Sequence, residues 1–169
     1  MIHLYCGDGK GKTTAACGLA LRAAGNGMRV LFAQFLKDGS SGELSALSTF
    51  RGITVLAPAI HFGWFKGLSD DQKIQLRAHY SSMIRDIADK AAEYDMIALD
   101  EAVSAYRYGL FDNEAFLSLL RENRDTKEII LTGREPAPEL TGLADYITLM
   151  KKEKHPFDLG IKARKGIEY

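Results

Sequence analysis

A short run of glycines and lysines, CGDGKGKTT at residues 6–14, constrains the fold of this chain more than any other stretch. It follows MIHLYC, residues 1–6, a short apolar segment with β-strand character. It precedes residues 12–27, KTTAACGLALRAAGNG, whose small and apolar side chains are typical of a helix packed closely on a sheet. A strand, a glycine-rich turn and a helix in this order predict an α/β domain that begins with a phosphate-binding loop.

The rest of the chain alternates between apolar strand segments and helical segments. Further strands are predicted at residues 29–36, 53–58, 96–101, 127–134 and 144–151. The longest helix begins with the capping-box pair Ser69 and Gln72 and continues with apolar residues at steps of three and four. This alternation predicts one α/β domain over residues 1–169, with a mostly parallel sheet of about six strands and helices on both faces.

Composition excludes several classes of protein. The 22 basic residues balance the 22 acidic ones, so a nucleic-acid partner is not expected. No apolar run approaches the roughly 18 residues that span a bilayer, and the amino terminus lacks the pattern of a signal peptide. We therefore expect a cytoplasmic protein without membrane contact. Cys6 and Cys17 have no histidine at a metal-like spacing and are expected to be small buried residues.

The glycine-rich loop has the residue types that bind a polyphosphate. Glycines let backbone N–H groups approach phosphate oxygens, Lys12 adds a positive charge, and the Thr13 hydroxyl can bind Mg²⁺. The usual spacing would place the first glycine at position 6, where this chain has Cys6. The alternative is a glycine-rich turn without a ligand. The predicted nucleotide-binding residues of the loop are Gly7, Asp8, Gly9, Lys10, Gly11, Lys12, Thr13 and Thr14.

A pair of carboxylates follows the strand MIALDE, residues 96–101. In a parallel sheet, Asp100 and Glu101 would lie at the same edge as the glycine loop, where acidic groups bind Mg²⁺ directly or through water. The alternative is that Asp100 caps a helix and Glu101 is solvated. Together with Thr13, the two carboxylates predict a magnesium site, and ATP with Mg²⁺ is the expected ligand.

Several motifs in this order resemble the P-loop class of ATP:corrinoid adenosyltransferases. They are GDGKGKTTAA (7–16), QFLK (34–37), HFGW (61–64), LDE (99–101), LTGR (131–134) and KHPFDLGIKARKGIEY (154–169). The resemblance implies a RecA-like P-loop fold, a homodimer, and a reductase or flavoprotein as electron donor. It also implies that cobalt(I) of a corrinoid (cobalamin, cobinamide or cobyrinic acid a,c-diamide) attacks the 5′ carbon of ATP and that triphosphate leaves whole, in adenosylcobalamin biosynthesis or salvage.

The resemblance also assigns roles to individual residues. Lys12 is expected to stabilise the leaving triphosphate. Phe62 and Trp64 match an aromatic pair that wedges beneath the corrin ring and displaces the lower axial ligand, which makes cobalt(II) easier to reduce. The alternative is that both rings are core residues. At Asp8 the family usually has asparagine, and a carboxylate there would repel phosphates unless it turned toward magnesium or a ribose hydroxyl.

Further residues are assigned to the same edge of the sheet and to the tail. Gln34 and Lys37 end the second strand and would face the active edge, although Lys37 could equally be solvated. Arg134 could reach a phosphate or a corrin amide, or be a surface charge. By resemblance, the tail residues Phe157, Asp158, Lys162 and Arg164 would form a corrinoid or dimer surface.

Two rival functions share these features. A P-loop nucleoside kinase or ATPase would use the same loop and carboxylates, but it would release ADP and would need a general base or a water-positioning group. A non-enzymatic, ATP-gated corrinoid-binding module would bind both ligands without consuming ATP. The motif at residues 154–169 favours the adenosyltransferase.

Overall fold

Six strands form one sheet in the part of the chain that the structure describes. The structure is a computed structural model that describes residues 1–60, 62–63 and 65–167, apart from the side chain of Lys66. The strands are β1 Ile2–Cys6, β2 Val30–Gln34, β3 Ile53–Leu56, β4 Met96–Asp100, β5 Glu128–Thr132 and β6 Tyr146–Leu149. Their order is β3-β2-β4-β5-β1-β6 and every pairing is parallel. The prediction of a mostly parallel sheet of about six strands is confirmed.

Helices connect the strands and cover both faces of the sheet. They are α1 Lys12–Gly25, α2 Gly42–Leu47, α3 Asp70–Lys90, α4 Ala102–Arg107, α5 Asn113–Asn123 and α6 Pro138–Leu143. Short 3₁₀ helices occur at Phe65–Gly67, Ala91–Glu93 and Pro156–Leu159. The helices predicted within residues 12–27 and from Ser69 onward are present as α1 and α3, whereas α4 follows β4 after a single residue and was not expected. None of the described helices is both long and apolar enough to cross a membrane.

Side-chain caps fix the starts of α3 and α5, which pack in the same core layer. The Ser69 hydroxyl accepts from the backbone N–H of Gln72, and the Gln72 side chain accepts from the Ser69 N–H, so the predicted capping box is present. The Asp112 carboxylate accepts from two N–H groups at the start of α5. Caps of this kind each stabilise a helix by about 1 kcal/mol.

The core lies in two layers, one on each side of the sheet. Leu31 and Ala33 of β2 point into the layer that contains α3 and α5. Val30 and Phe32, which alternate with them, point into the layer that contains α1 and α2. The central strands are therefore buried on both faces, as their continuous apolar sequences predicted. Cys6 and Cys17 are buried and free, which confirms the expectation for both.

The edge strand β6 and the tail after it differ from this core. All four residues of β6 are exposed. In the described residues of the tail, 151–167, no side chain is buried. The tail is loop-rich, as predicted, and Pro156–Leu159 is its short helical turn. Because all strands are parallel, their carboxyl ends lie at the same edge of the sheet. The tail follows β6 and therefore begins at that edge.

Candidate active site

Polar residues gather at the carboxyl edge of the sheet, where four strands end close together. The glycine loop follows β1, Gln34 ends β2, Asp100 ends β4 and Thr132 ends β5. Gln34, Asp100 and Thr132 are fully buried at 0% exposure, although the strands before them are apolar. Buried polar groups need hydrogen-bond partners, so these side chains must satisfy one another or a ligand.

Asp100 is the centre of this cluster. Its Oδ1 accepts from the Thr13 hydroxyl at 2.8 Å and from the Thr132 hydroxyl at 2.7 Å. Its Oδ2 accepts from the Gln34 amide at 3.0 Å and from the Lys37 ammonium at 3.2 Å. Two donors on each oxygen satisfy the carboxylate. Asp100 therefore fixes the positions of four side chains, which come from α1, β2, the turn after β2, and β5.

Lys37 reaches Asp100 because the chain turns back after β2. Leu36 has φ 58°, a left-handed conformation that is rare for leucine, and its N–H donates to the Tyr80 hydroxyl at 2.8 Å. The ammonium also lies 3.2 Å from Glu43 Oε1. Burial lowers the pKa of Lys37, but the charges of Asp100 and Glu43 outweigh burial and raise that pKa overall. Lys37 is thus a charged member of the cluster.

Gly7 and Gly9 of the loop press against the chain that leaves β6. A Cβ at Gly7 would lie 2.5 Å from the Met150 carbonyl oxygen, and one at Gly9 would lie 2.6 Å from it. The Gly9 N–H donates to that oxygen at 2.7 Å, and the Gly7 N–H donates to the Arg134 carbonyl oxygen at 2.9 Å. These two N–H groups are therefore engaged with the protein. The groups left for a phosphate are those later in the loop and in the first turn of α1.

Lys12 lies beneath the loop and is only 9% exposed. Its ammonium donates to the Gly9 carbonyl oxygen at 2.7 Å. Burial lowers the pKa of Lys12, which the charge of Glu101 partly opposes. Gly11 caps α1 with φ 110°, a conformation that favours glycine. This turn starts α1 so that the positive end of its dipole faces the loop.

The remaining loop residues point outward. Lys10 and Thr14 are exposed, as is Asp8. Asp8 Oδ1 accepts from the backbone N–H of Lys152 at 3.0 Å, a contact that the sequence did not predict. This bond is the main reason that the pKa of Asp8 is lowered. The carboxylate therefore faces the start of the tail rather than the interior of the loop.

Glu101 begins α4 in an unusual backbone conformation. Its φ is 59°, its N–H donates to the Thr132 hydroxyl at 2.9 Å, and its Oε2 accepts from Ser104 at 2.9 Å. Glu101, not Asp100, is the N-cap residue of α4. The alternative in which Asp100 caps a helix is therefore wrong. Gly133 permits this packing, because a Cβ there would lie 2.5 Å from the Val103 Cβ.

The side-chain oxygens around Asp100 and Glu101 could bind a divalent cation if phosphate oxygens supplied the remaining ligands. Within the described residues, no group of three or more His, Cys, Asp or Glu side chains is arranged to hold a metal ion. The Thr13 hydroxyl donates its proton to Asp100, which leaves its oxygen lone pairs free for a cation. Mg²⁺ is usually bound by few protein oxygens together with several phosphate oxygens.

The other predicted residues belong to the segment after β3, the turn after β5 and the tail. Phe62 is partly buried against the core layer of α3, whereas Trp64 lies outside the described residues. Arg134 is exposed, and its backbone oxygen supports the loop. The predicted tail residues are all exposed, and among them Asp158 accepts from the Lys152 ammonium at 2.9 Å.

Sequence reasoning missed several residues of the site. Thr132 could have been found as a polar residue that ends a buried strand. Ser41, whose hydroxyl donates to Gln34 Oε1 at 3.1 Å, and Glu43 lie in the loop and helix after β2 and had no comparable signal. Met150 and Lys152 contact the loop through backbone atoms, which side-chain patterns do not reveal.

The parallel sheet, the glycine loop and the polar cluster around Asp100 define a RecA-like α/β domain of the P-loop type. The family described as ATP:corrinoid adenosyltransferase BtuR/CobO/CobP matches residues 1–169. The chain therefore belongs to this family of enzymes, which confirms the resemblance. Neither the kinase nor the non-enzymatic alternative is favoured by the match.

Curated relatives agree with the family. A corrinoid adenosyltransferase of Escherichia coli (strain K12) is 34% identical over 170 residues, which cover 100% of this chain and 85% of the relative. The corrinoid adenosyltransferase CobA of Salmonella typhimurium (strain LT2) has the same identity and coverage, 34%, 100% and 85%. A corrinoid adenosyltransferase of Pseudomonas aeruginosa is 29% identical over 171 residues, with 100% of this chain and 83% of the relative covered.

Proposed function

We propose that this protein transfers the 5′-deoxyadenosyl group of ATP to cobalt(I) of a corrinoid and releases triphosphate. Cobalamin, cobinamide and cobyrinic acid a,c-diamide are the candidate acceptors, in adenosylcobalamin biosynthesis or salvage. One observation carries the proposal: in a chain of this family, a glycine loop with a buried Lys12 lies at the same sheet edge as the Asp100 cluster. This arrangement suits a ligand that is held by its polyphosphate.

The protein itself takes little part in the covalent chemistry of this reaction. An electron pair of cobalt(I) forms the bond to the 5′ carbon of ATP, and the carbon–oxygen bond breaks with its electron pair on the triphosphate. The site must therefore stabilise negative charge on the leaving group. The Lys12 ammonium and the N–H groups in the first turn of α1, which have no partners within the helix, are suited to this role. No protein nucleophile is needed.

A bound Mg²⁺ would supply further positive charge to the phosphate oxygens. We assign its protein ligands to the Thr13 hydroxyl and the Glu101 carboxylate, whereas Asp100 orients Thr13. Asp100 already accepts four hydrogen bonds and would have to lose one to bind a cation directly. Gln34 and Lys37 keep Asp100 in place from the β2 side. Arg134, at the rim, is available to a phosphate or a corrin amide.

Phe62 and Trp64 are proposed to contact the corrin ring from below and to displace its lower axial ligand. Support comes from the family motif and from the position of Phe62, which is only partly buried on the core. A ring anchored on one side can present its other side to a flat ligand. In this proposal the Phe157–Asp158 segment of the tail forms part of the corrinoid or dimer surface.

A homodimer, an electron donor and a cytoplasmic location belong to the same proposal. The exposed apolar side chains of β6 support the dimer: Tyr146, Ile147 and Leu149 are 49%, 53% and 67% exposed. Apolar residues in a row on an edge strand are a surface that proteins normally cover. A reductase or flavoprotein would supply the electron that converts cobalt(II) to cobalt(I).

The test is an assay of cobalt–carbon bond formation. Chemically reduced cobalamin is incubated with protein, ATP and Mg²⁺, and the absorbance change of alkylation is followed. We expect turnover for the unchanged chain and a loss of about 10²- to 10³-fold in kcat for Lys12→Met, because a charge that stabilises the leaving group is removed. Lys90→Met is the matched control, since Lys90 is exposed at the opposite end of the sheet. Absence of alkylation by the unchanged chain would contradict the proposal.

A further inference from the structure

Asp8 lies in the glycine loop, yet its carboxylate contacts the chain that follows β6. Oδ1 accepts from the backbone N–H of Lys152 at 3.0 Å. Two backbone bonds lie beside it: the Gly9 N–H donates to the Met150 oxygen at 2.7 Å, and the Met150 N–H donates to the Cys6 oxygen at 2.8 Å. These three hydrogen bonds join the loop to residues 150–152. Two are between backbone atoms, and the third is accepted by the Asp8 side chain.

Apolar burial does little to hold the described part of the tail beyond this junction. In its described residues, 153–167, no side chain is buried, so apolar packing contributes little. The Lys152 ammonium donates to Asp158 at 2.9 Å, which ties the 3₁₀ helix Pro156–Leu159 to the same junction. A continuous path of polar contacts therefore leads from the loop through Lys152 to the part of the tail that carries the family motif.

We propose that Asp8 positions the carboxyl-terminal tail on the phosphate-binding loop and so couples nucleotide binding to the ordering of the tail. The proposal rests on the proposed function in that the loop binds ATP, and its kinetic readout also requires corrinoid turnover. A nucleotide that orders the loop then orders residues 151–158 as well. By linkage, whatever holds the tail in place strengthens nucleotide binding by the same factor. Asp8 is a positioning residue, because it acts through the tail.

Phosphate binding does not explain why the loop has an aspartate at position 8, since a carboxylate repels phosphate oxygens. Its role as an acceptor can be separated from its charge by two substitutions. Asp8→Asn and Asp8→Ala both remove the charge, but only Asp8→Asn keeps an oxygen that can accept from the Lys152 N–H. Any property that differs between these variants therefore reports the hydrogen bond.

Hydrogen exchange of the Lys152 amide measures this bond directly. In protein without nucleotide, we expect this amide to exchange about tenfold faster in Asp8→Ala than in the unchanged chain, and to be protected again in Asp8→Asn. Addition of ATP and Mg²⁺ should slow exchange across residues 151–158 in the unchanged chain and in Asp8→Asn, but not in Asp8→Ala. Lys152→Ala is the control that keeps the backbone donor, and its residue-152 amide should stay protected.

Steady-state kinetics provide a second readout. Asp8→Ala should raise the KM for the corrinoid more than it lowers kcat, and Asp8→Asn should restore the KM. Lys152→Pro removes the donor instead of the acceptor and should reproduce the exchange pattern of Asp8→Ala over residues 153–158. This variant tests the same bond if Asp8→Ala is poorly folded.

Two results would overturn the proposal. One is equal protection of the Lys152 amide in Asp8→Ala and in the unchanged chain. The other is a slowing by ATP that is the same in Asp8→Ala and Asp8→Asn. Calorimetric titration of the unchanged chain with ATP separates the second result from failure of the proposed function. If ATP did not bind, the function would fail, whereas the comparison of amide protection without nucleotide would still decide the role of Asp8.

Discussion

Asp100 shows how one buried carboxylate can organise a site. It receives hydrogen bonds from residues of α1, β2, the turn after β2, and β5, so it joins parts of the chain that are far apart in sequence. A charge at 0% exposure is tolerated because each of its oxygens has two donors and the Lys37 ammonium balances it. Removing the negative charge or an acceptor should therefore disturb all of these partners together.

Asp100→Asn tests this claim. The new amide nitrogen is a donor placed among four donors, so at least one buried group loses its partner. We expect the free energy of unfolding to fall by about 1 to 3 kcal/mol, measured by urea denaturation. Asp89→Asn, an exposed position on α3, is the control and should change stability little. Equal stabilities of the two variants would contradict the central role of Asp100.

At the scale of residues, strand ends were the informative signal. Thr13, Gln34 and Asp100 follow or end apolar segments, so their meeting at one sheet edge could be predicted from a parallel sheet. The sequence left open whether Lys37 faces the active edge or is solvated, because its position depends on the left-handed turn at Leu36, and a leucine does not indicate such a turn. The direction of the Asp8 side chain likewise depends on a backbone donor from the other end of the chain.

Among the structural elements, the glycine loop depends on a strand that is distant in sequence, because it packs against the chain that leaves β6. Gly9→Ala would bring a Cβ to 2.6 Å from the Met150 oxygen, which must push the loop or the β6 exit away. We expect a loss of about 1 to 3 kcal/mol in stability and weaker ATP binding, by thermal melting and calorimetry.

Gly18→Ala is the matched control for this change. Gly18 lies in α1, and a Cβ there would have nothing within 4 Å. Since alanine favours a helix interior over glycine, this variant should gain about 0.5 to 1 kcal/mol. A Gly9→Ala protein as stable as the unchanged chain would show that the loop does not need this close approach.

An ion pair at the opposite edge of the sheet provides a pH-dependent test. Arg29 donates to Asp95 from its backbone N–H at 2.8 Å and from its guanidinium at 3.0 Å, which joins the start of β2 to the start of β4. These hydrogen bonds lower the pKa of Asp95 to about 2. Because the folded pKa is below the unfolded one, the stabilisation is present above about pH 4 and is lost as the pH falls toward 2.

Asp95→Asn should therefore unfold at a lower urea concentration than the unchanged chain near about pH 6. The difference between the two midpoints should shrink as the pH falls from about 4 to about 2, because protonation of Asp95 makes the unchanged chain resemble the variant. A difference that stays constant over this pH range would show that the pair does not stabilise the fold through its charge.

Element prediction failed where local pattern and tertiary context disagreed. Helix α4 follows β4 with one residue between them, and its six residues, Ala102–Arg107, are too few to show a clear helical period in the sequence. The turn is made by the left-handed Glu101 and by the close approach of Gly133. Both depend on packing between β4 and β5, which a single segment of sequence does not contain.

At the scale of the whole molecule, the fold class could be predicted but the strand order could not. Alternating strands and helices are enough to indicate a parallel sheet, whereas the placement of β5 between β4 and β1 depends on contacts between distant segments. The exposure of β6 was also not visible in sequence, because Tyr146, Ile147 and Leu149 look like core residues.

The exposed side chains of β6 lead to a prediction about assembly. If a second copy covers this strand, the unchanged chain should sediment as a dimer and Ile147→Lys should sediment as a monomer, since a buried lysine without a partner is unfavourable. Ile74→Lys is the control, because Ile74 is 67% exposed on α3, away from β6. A monomeric unchanged chain, or an Ile147→Lys protein that remains dimeric, would contradict the prediction.

The proposed reaction is distinguished from phosphoryl transfer by the atom of ATP that is attacked. Identification of the phosphorus-containing product by ³¹P NMR, after incubation with ATP, Mg²⁺ and reduced cobalamin, tests this most directly. Attack at the 5′ carbon predicts one intact triphosphate for each corrinoid that gains a cobalt–carbon bond. Formation of ADP and orthophosphate, with the corrinoid left unalkylated, would contradict the account.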